Sequence, residues 1–307
     1  MSSSLRLGLV GLGKIARDQH LHAIEAAAGI ELCAVASRNA IHEHLPSYKT
    51  LDEMLERAEI DAISLCTPPQ GRLSQALAAL RAGKHLMLEK PPGITPSEVR
   101  ELEKIAAQNN LTLLVTWHSR YAGGVAKAKE LLVGEQIRAV KIIWKEDVRW
   151  SHPGQKWIWD AGGLGIFDPG INALSIATEI FPPLFLQKAD LHFPSNCQTP
   201  IAAQLRFTSE QGFRVEADFD WRQDGPWTCY MDIETQRKHI RLDDGGARLL
   251  LDGKEILKEP DREYFHLYNR FVELIKAGKS DVDLSPFQHV ADAFLLGRRL
   301  ETQAFVE

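Results

Sequence analysis

Apolar residues in the first third of the chain fall into short runs separated by stretches of helical spacing. Runs at 5–10, 30–36, 60–66, 85–88 and 111–115 read as strands. The intervals 14–28, 51–58, 72–82 and 96–108 read as helices; in the first, Ile15, Leu21 and Ile24 share roughly one side, and Gly83 stops the third. Strands alternating with helices predict βαβ units, hence an α/β fold whose parallel sheet is covered by helices on both faces.

The rhythm changes near residues 116–121. Strand-like runs at 137–146, 186–192, 201–207, 213–221, 228–234, 238–242 and 248–251 then follow one another, punctuated by Gln211-Gly212, Asp224-Gly225, Asp244-Gly245-Gly246 and Asp252-Gly253. That succession predicts a large, mostly antiparallel sheet. Helices are expected at 125–132, 169–180, 262–276 and 286–302. The chain therefore divides near residue 118, into an α/β domain (1–118) and an α+β domain (119–307). The last helix is able to pack back on the N-terminal domain.

Composition narrows the class. With 307 residues, 44% of them hydrophobic, the chain can bury a large core. A net charge of −5 offers no basic field for nucleic acid or an anionic membrane. Cys33, Cys66, Cys197 and Cys229 show no CxxC spacing and no histidine at zinc spacing, so no metal site is expected. Cys33 and Cys66 fall in apolar runs as small hydrophobes, which suits a reducing, cytoplasmic compartment. The start, Met1-Ser2-Ser3-Ser4-Leu5-Arg6, lacks the marks of a signal peptide, and the apolar run 7–12 is too short to span a bilayer.

Chemistry enters at the first strand-to-helix junction. Gly11-Leu12-Gly13-Lys14-Ile15-Ala16 fits G-x-G-x-x-G/A in the context that motif needs, after a strand and opening a helix. Gly11 permits the tight turn, Gly13 the approach of a pyrophosphate, and Ala16 close packing of helix on strand. The helix start offers free N–H groups to the anion. This is the dinucleotide-binding arrangement of a Rossmann domain. After the second strand, where an acidic residue would hold a ribose 2′-hydroxyl, stand Ser37 and Arg38, which suit a 2′-phosphate. NADP is expected to serve at least as well as NAD.

Glu89-Lys90-Pro91-Pro92 follows a strand at the edge where open α/β sheets bind ligands. Taken alone, Lys90 reads as a surface lysine before a turn. Asp168 and Asn172, four apart, share a helix face. Asp168 before Pro169-Gly170 also reads as an N-cap with proline at N1, and both readings stay open. Trp144, Trp150, Trp157 and Trp159 crowd a segment that also holds Glu146, Arg149 and His152. Apolar faces and charged groups together suit a pyranose, although the tryptophans read equally as core anchors.

These strings, with Cys66-Thr67-Pro68-Pro69, resemble the glucose–fructose oxidoreductase/inositol dehydrogenase (Gfo/Idh/MocA) family. The longer strings Trp117-His118-Ser119-Arg120, 144–149, 152–155, 157–159, 163–175, 194–198 and 291–294 resemble its aldose 1-dehydrogenases, those acting on D-galactose and L-arabinose. The resemblance implies NAD(P)-dependent oxidation of the sugar at C1 to a lactone. It implies cofactor contacts at Gly11, Leu12, Gly13, Lys14, Ile15, Ser37, Arg38, Cys66, Thr67, Pro68, Pro69, Glu89 and Lys90. Lys90 would polarise the reacting oxygen, after a Lys90–Pro91 peptide bond in the cis form. Family members commonly carry a histidine base where Asn172 stands. Asp168 therefore becomes the expected base, with Asn172 orienting the sugar and Lys90 second in line. His118, Glu146, Trp150, His152, Trp157, Trp159, Asp168 and Asn172 are the expected sugar contacts. The second domain would also carry oligomerisation, as a homodimer or homotetramer through its sheet. Other family substrates, an inositol or a dihydrodiol, and a non-catalytic dinucleotide-binding regulator are the alternatives.

Overall fold

The computed structural model describes residues 4–307 and forms two compact units, one running to Thr116 and including Arg262–Asp283, the other comprising Trp117–Asp261 and Leu284–Glu307. Residues 1–3 of the start read above lie outside the described residues.

The first unit is built on β1 (Leu5–Val10), β2 (Ile30–Ala36), β3 (Ser47–Tyr48), β4 (Ala62–Leu65), β5 (His85–Leu88) and β6 (Leu113–Val115). All pair in parallel, in the order β3-β2-β1-β4-β5-β6. The order reverses at β1 and β4, which opens a crevice at the carboxyl ends of these strands. Leu7, Leu9, Ile63, Leu65, Leu86 and Leu88 are fully enclosed, the near-continuous apolar runs that a two-sided sheet requires. The helices are α1 (Leu21–Ala26), α2 (Leu51–Arg57), α3 (Arg72–Arg81) and α4 (Pro96–Gln108). Thr50 and Thr95 cap α2 and α4 by accepting from the N–H groups of Glu53 and Glu98. The regular helix expected over 14–28 instead contains a π turn, Ala16–His20, before α1.

The helix Glu263–Ala277 also belongs to this unit and packs on α1. The division at residue 118 had assigned it to the second domain. Its apolar face comprises Tyr264, Leu267, Tyr268, Phe271, Val272 and Leu274, all buried.

The second unit contains α5 (Gly123–Leu132), β7 (Ile137–Lys145), α6 (Val148–Ser151), α7 (Phe167–Ile180), β8 (Leu184–Pro194), β9 (Ala202–Ser209), β10 (Arg214–Asp220), β11 (Thr228–Thr235), β12 (His239–Asp243), β13 (Arg248–Leu251) and β14 (Lys254–Lys258). The first unit's helix Glu263–Ala277 is α8 in chain order; α9 (Ser285–Leu296) and β15 (Arg298–Thr302) return to the second. Its nine-stranded sheet runs β14-β13-β12-β11-β7-β10-β9-β8-β15, antiparallel except for β7–β10 and β8–β15. Inward residues such as Val140, Ile142, Phe207, Val215 and Phe219 are buried, and α5, α7 and α9 pack against the sheet.

One expectation is overturned at the C-terminus. The helix expected over 286–302 stops at Gly297, and Arg298–Thr302 pairs with β8 as a strand. A Cβ at Gly297 would lie 2.3 Å from the Ala293 carbonyl oxygen and 2.8 Å from Leu191, so the close turn requires glycine. The final helix α9 falls in the second unit. The edge strand β14 escaped the sequence reading because its residues are largely exposed and show no inward face.

Candidate functional site

The first unit places the phosphate loop at the carboxyl end of β1. Gly11 has φ +93° and gives its N–H to Ala36 O, 2.8 Å away. A Cβ there would lie 2.9 Å from the main chain of Cys66 and Thr67, so a side chain is excluded. Gly13 is open, with nothing within 4 Å of its Cβ direction. The N–H groups of Lys14, Ile15 and Ala16 precede the first helical bond, from Arg17 to Gly13 O. A main chain that turns on Gly11, opens at Gly13 and ends in unpaired helical N–H groups fits a pyrophosphate. Leu12 is buried beneath this turn and Lys14 pairs with Asp18.

Ser37 and Arg38 follow β2 as expected, and Arg38 is exposed. Lys49 reaches this corner, its Nζ 3.4 Å from the Arg38 carbonyl oxygen. Cys66 and Thr67 follow β4; Thr67 Oγ1 bonds Gln75, Pro68 is exposed and Pro69 buried.

At the end of β5, the Lys90–Pro91 bond is cis. Lys90 gives its main-chain N–H to Thr116 Oγ1 at 3.0 Å. The buried Arg72 guanidinium donates to the carbonyls of Thr67, Glu89 and Pro91, so it grips the chain on both sides of Lys90. Glu89, expected among the cofactor contacts, is 3% exposed and turns Oε1 inward, toward the hydroxyls of Thr116 (3.0 Å) and Tyr264 (2.6 Å) and His20 Nε2 (3.2 Å). Sequence reasoning missed Arg72, His20, Tyr264 and Tyr268. The available signal was Tyr264 and Tyr268 at helical spacing on one apolar face.

The second unit gathers several expected sugar contacts. The helix α7 begins at Phe167 without a side-chain cap, so Asp168 lies in its first turn and does not act as the N-cap. Its carboxylate faces His152, Oδ2 to Nε2 at 3.0 Å, and is 4% exposed. His152 Nδ1 lies 2.9 Å from Ser151 Oγ and 3.9 Å from Glu146 Oε1. Glu146 accepts from two indole N–H groups, Trp221 at 2.9 Å and Trp144 at 3.4 Å. Glu146, His152 and Asp168 thus form one chain of polar groups walled by Trp221, whose ring centre is 5.0 Å from His152 and 5.3 Å from Trp159. Asn172 is half-buried one turn after Asp168. Gly170 lets α7 approach β10, since a Cβ there would lie 2.7 Å from the Phe219 ring.

The remaining expected contacts are spread more widely. Trp150 is 78% exposed on α6, and the structure does not bring it to this chain of groups. Trp157 is half-buried in a short 3-10 turn. His118 is half-buried at the start of another, its Nδ1 3.3 Å from Ser119 Oγ. Trp144 is buried as a core anchor and packs edge-on against Trp227.

Comparison with known proteins agrees with this geometry. The model of an oxidoreductase family with an NAD-binding Rossmann fold, Gfo/Idh/MocA, matches residues 5–117. A galactose 1-dehydrogenase from Pseudomonas fluorescens is 42% identical over 99% of each chain. The crystal structure of a D-galactose-1-dehydrogenase from Rhizobium etli is 52% identical, with a TM-score of 0.95 over 100% of this chain and 99% of that one. A 3-ketoreductase from Actinomadura kijaniata, 17% identical with a TM-score of 0.86 over 98% and 100%, shares the fold. A glycine-turned phosphate loop under a parallel sheet, a Glu-Lys-Pro turn beside it and full-length likeness to these dehydrogenases lead to one assignment: the chain belongs to the Gfo/Idh/MocA family of NAD-binding oxidoreductases.

Proposed function

We propose that the protein oxidises the C1 hydroxyl of an aldopyranose, D-galactose or L-arabinose, to the lactone, with NADP used at least as well as NAD. The observation that carries the reading is the His152–Asp168 pair, a carboxylate placed by a histidine among tryptophans and a second carboxylate. Relatives named for galactose oxidation support the substrate class. Arg38 and Lys49 support a cofactor with a 2′-phosphate.

Bound nicotinamide supplies the acceptor for the hydride that leaves C1. Asp168 takes the proton of the C1 hydroxyl, and His152 fixes the direction its carboxylate faces. Lys90 is assigned the polarising role that the family resemblance implies, favouring negative charge on the reacting oxygen. It is also the second candidate base. Asn172 orients the sugar, and its amide does not act as a base near neutral pH. Glu146, His118 and His152 take hydroxyls, while Trp157 and Trp159 offer apolar faces to the ring. Galactose and arabinose differ by one hydroxymethyl group, so a pocket of this kind discriminates only modestly between them.

The enzyme is proposed to work in the cytoplasm, consistent with four free thiols. It is also proposed to form a homodimer or homotetramer through the second sheet. That sheet carries both signs of charge, Arg206 with Glu216 and Arg241 with Asp232, which is compatible with pairing against a second copy. Reduction of each nucleotide is followed by its near-ultraviolet absorbance, with each sugar in turn. Turnover of either aldose supports the reading, and no reduction with any aldose overturns it. A strong preference for NAD overturns the NADP part alone. Light scattering reads the assembly, and a monomeric mass removes it.

A further inference from the structure

We propose that His20 is a positioning residue for this reaction: it is the buried cation that pairs with Glu89 and thereby ties the helix opened by the phosphate loop to the main chain bearing Lys90. The role assigned to Lys90 rests on the dehydrogenase reading above; the pairing itself does not.

The directions of the hydrogen bonds fix the charge. Tyr268 donates its hydroxyl to Ser64 Oγ at 3.2 Å, so its oxygen is left to accept from His20 Nδ1, 2.7 Å away. His20 Nε2 faces Glu89 Oε1, the oxygen on which the Thr116 and Tyr264 hydroxyls also converge. An oxygen that receives three donors is a carboxylate oxygen, and a ring that donates from both nitrogens is an imidazolium. The side chains of His20 and Glu89 are 0% and 4% exposed. The groups facing the ring are Cys66, Tyr264, Tyr268 and Glu89. Burial by itself favours the neutral ring, but Cys66, Tyr268 and the bond to Glu89 outweigh it and hold its titration well above the ordinary histidine value.

The pair spans the parts that must cooperate. His20 ends the π turn, one turn after Ala16 of the phosphate loop; single π turns of this kind recur at functional sites. Glu89 precedes Lys90, and Thr116 passes the connection on, giving its hydroxyl to Glu89 and accepting the Lys90 N–H. Without the imidazolium, Glu89 loses a buried counter-charge and the Thr116 link loses its fixed acceptor. Seating of the cofactor and placement of Lys90 are thereby coupled.

The test compares His20→Leu, His20→Gln and the double variant His20→Leu/Glu89→Gln in the full-length protein. Cofactor affinity is read from nicotinamide fluorescence without sugar, and turnover from steady-state rates. His20→Leu is expected to lose about 10²-fold in kcat through misplacement of Lys90, and roughly tenfold in cofactor affinity, with the sugar KM little changed. His20→Gln, which keeps one donor, recovers part of both. The double variant regains thermal stability over His20→Leu without regaining kcat, which separates positioning from simple structural support. Nitrogen-15 spectra of the imidazoles, with His20→Gln assigning the signal, are expected to show a His20 ring still doubly protonated at neutral pH. Wild-type affinity and kcat in His20→Gln, or a His20 ring that is neutral at neutral pH, overturns the proposal. Affinity and ring titration are read without an aldose. A protein that oxidises no sugar therefore removes the proposed function while these two readouts still decide the pairing.

Discussion

Among the described residues, two largely enclosed histidines face a carboxylate, His20 with Glu89 and His152 with Asp168, and these two pairs differ in how they meet water. In the first unit His20 and Glu89 are sealed, at 0% and 4% side-chain exposure, with every direction around Glu89 Oε1 filled by a donor. In the second, the His152 side chain is 17% exposed beside Asp168 at 6%, and Ser151 and Glu146 flank the ring. A carboxylate that gains and loses a proton in each turnover needs a neighbour in contact with solvent. A carboxylate that holds geometry is better without one, because water would compete for its hydrogen bonds. The sealed pair therefore suits the positioning role proposed for it, and the open pair the reacting role proposed for Asp168.

Substitutions sharpen the contrast, beginning with the largest effect. Asp168→Asn is expected to lower kcat by about 10³-fold with the sugar KM little changed, measured in steady state. A kcat near wild type would remove Asp168 as the base. Lys90→Met is expected to cost about 10²-fold in kcat while cofactor affinity stays close to wild type, unlike His20→Leu, where both fall. At the open pair, His152→Gln keeps a donor toward Asp168 and should retain more kcat than His152→Leu. Equal losses in the two would show that the contact does not orient the carboxylate.

The smallest effect is a dependence of stability on pH. His20 titrates in the folded state above its unfolded value, so its contribution is complete below about pH 6.5 and is lost as pH rises through the folded value. The difference in melting temperature between wild type and His20→Gln should therefore be largest at about pH 6 and shrink as pH rises through the folded titration. A gap that widened on going alkaline would contradict the buried imidazolium.

The legible parts of this molecule were those whose signals are local. Four apolar residues in β1, then Gly11, Gly13 and Ala16, are enough to announce the strand and the phosphate loop, because turn, strand and helix start lie within twelve positions. Trp144 and Glu146 shared a face as strand alternation implies, and the indole does donate to the carboxylate. Asp168 was ambiguous because Asp-Pro-Gly suits a cap as well as a site; only the fold brings His152 within 3.0 Å and starts the helix earlier. The sealed cluster was invisible for a different reason. His20 meets Tyr268 across 248 positions, and Glu89 meets Tyr264 across 175, so no window of sequence holds both partners. The terminal strand β15 was read as helix because Gly297 was not taken as a stop, although Arg298–Thr302 has a single apolar position, Leu300, as an edge strand permits.

The central claim is that the chain couples oxidation of an aldose at C1 to reduction of a nicotinamide through Asp168. The most direct measurement follows reduced nucleotide with D-galactose as donor in wild type and in Asp168→Asn, alongside nucleotide binding in both. The account predicts steady reduction by wild type, near-complete loss in the variant and unchanged binding. Binding of nucleotide by wild type with no reduction by any aldose, or undiminished reduction by Asp168→Asn, would contradict it.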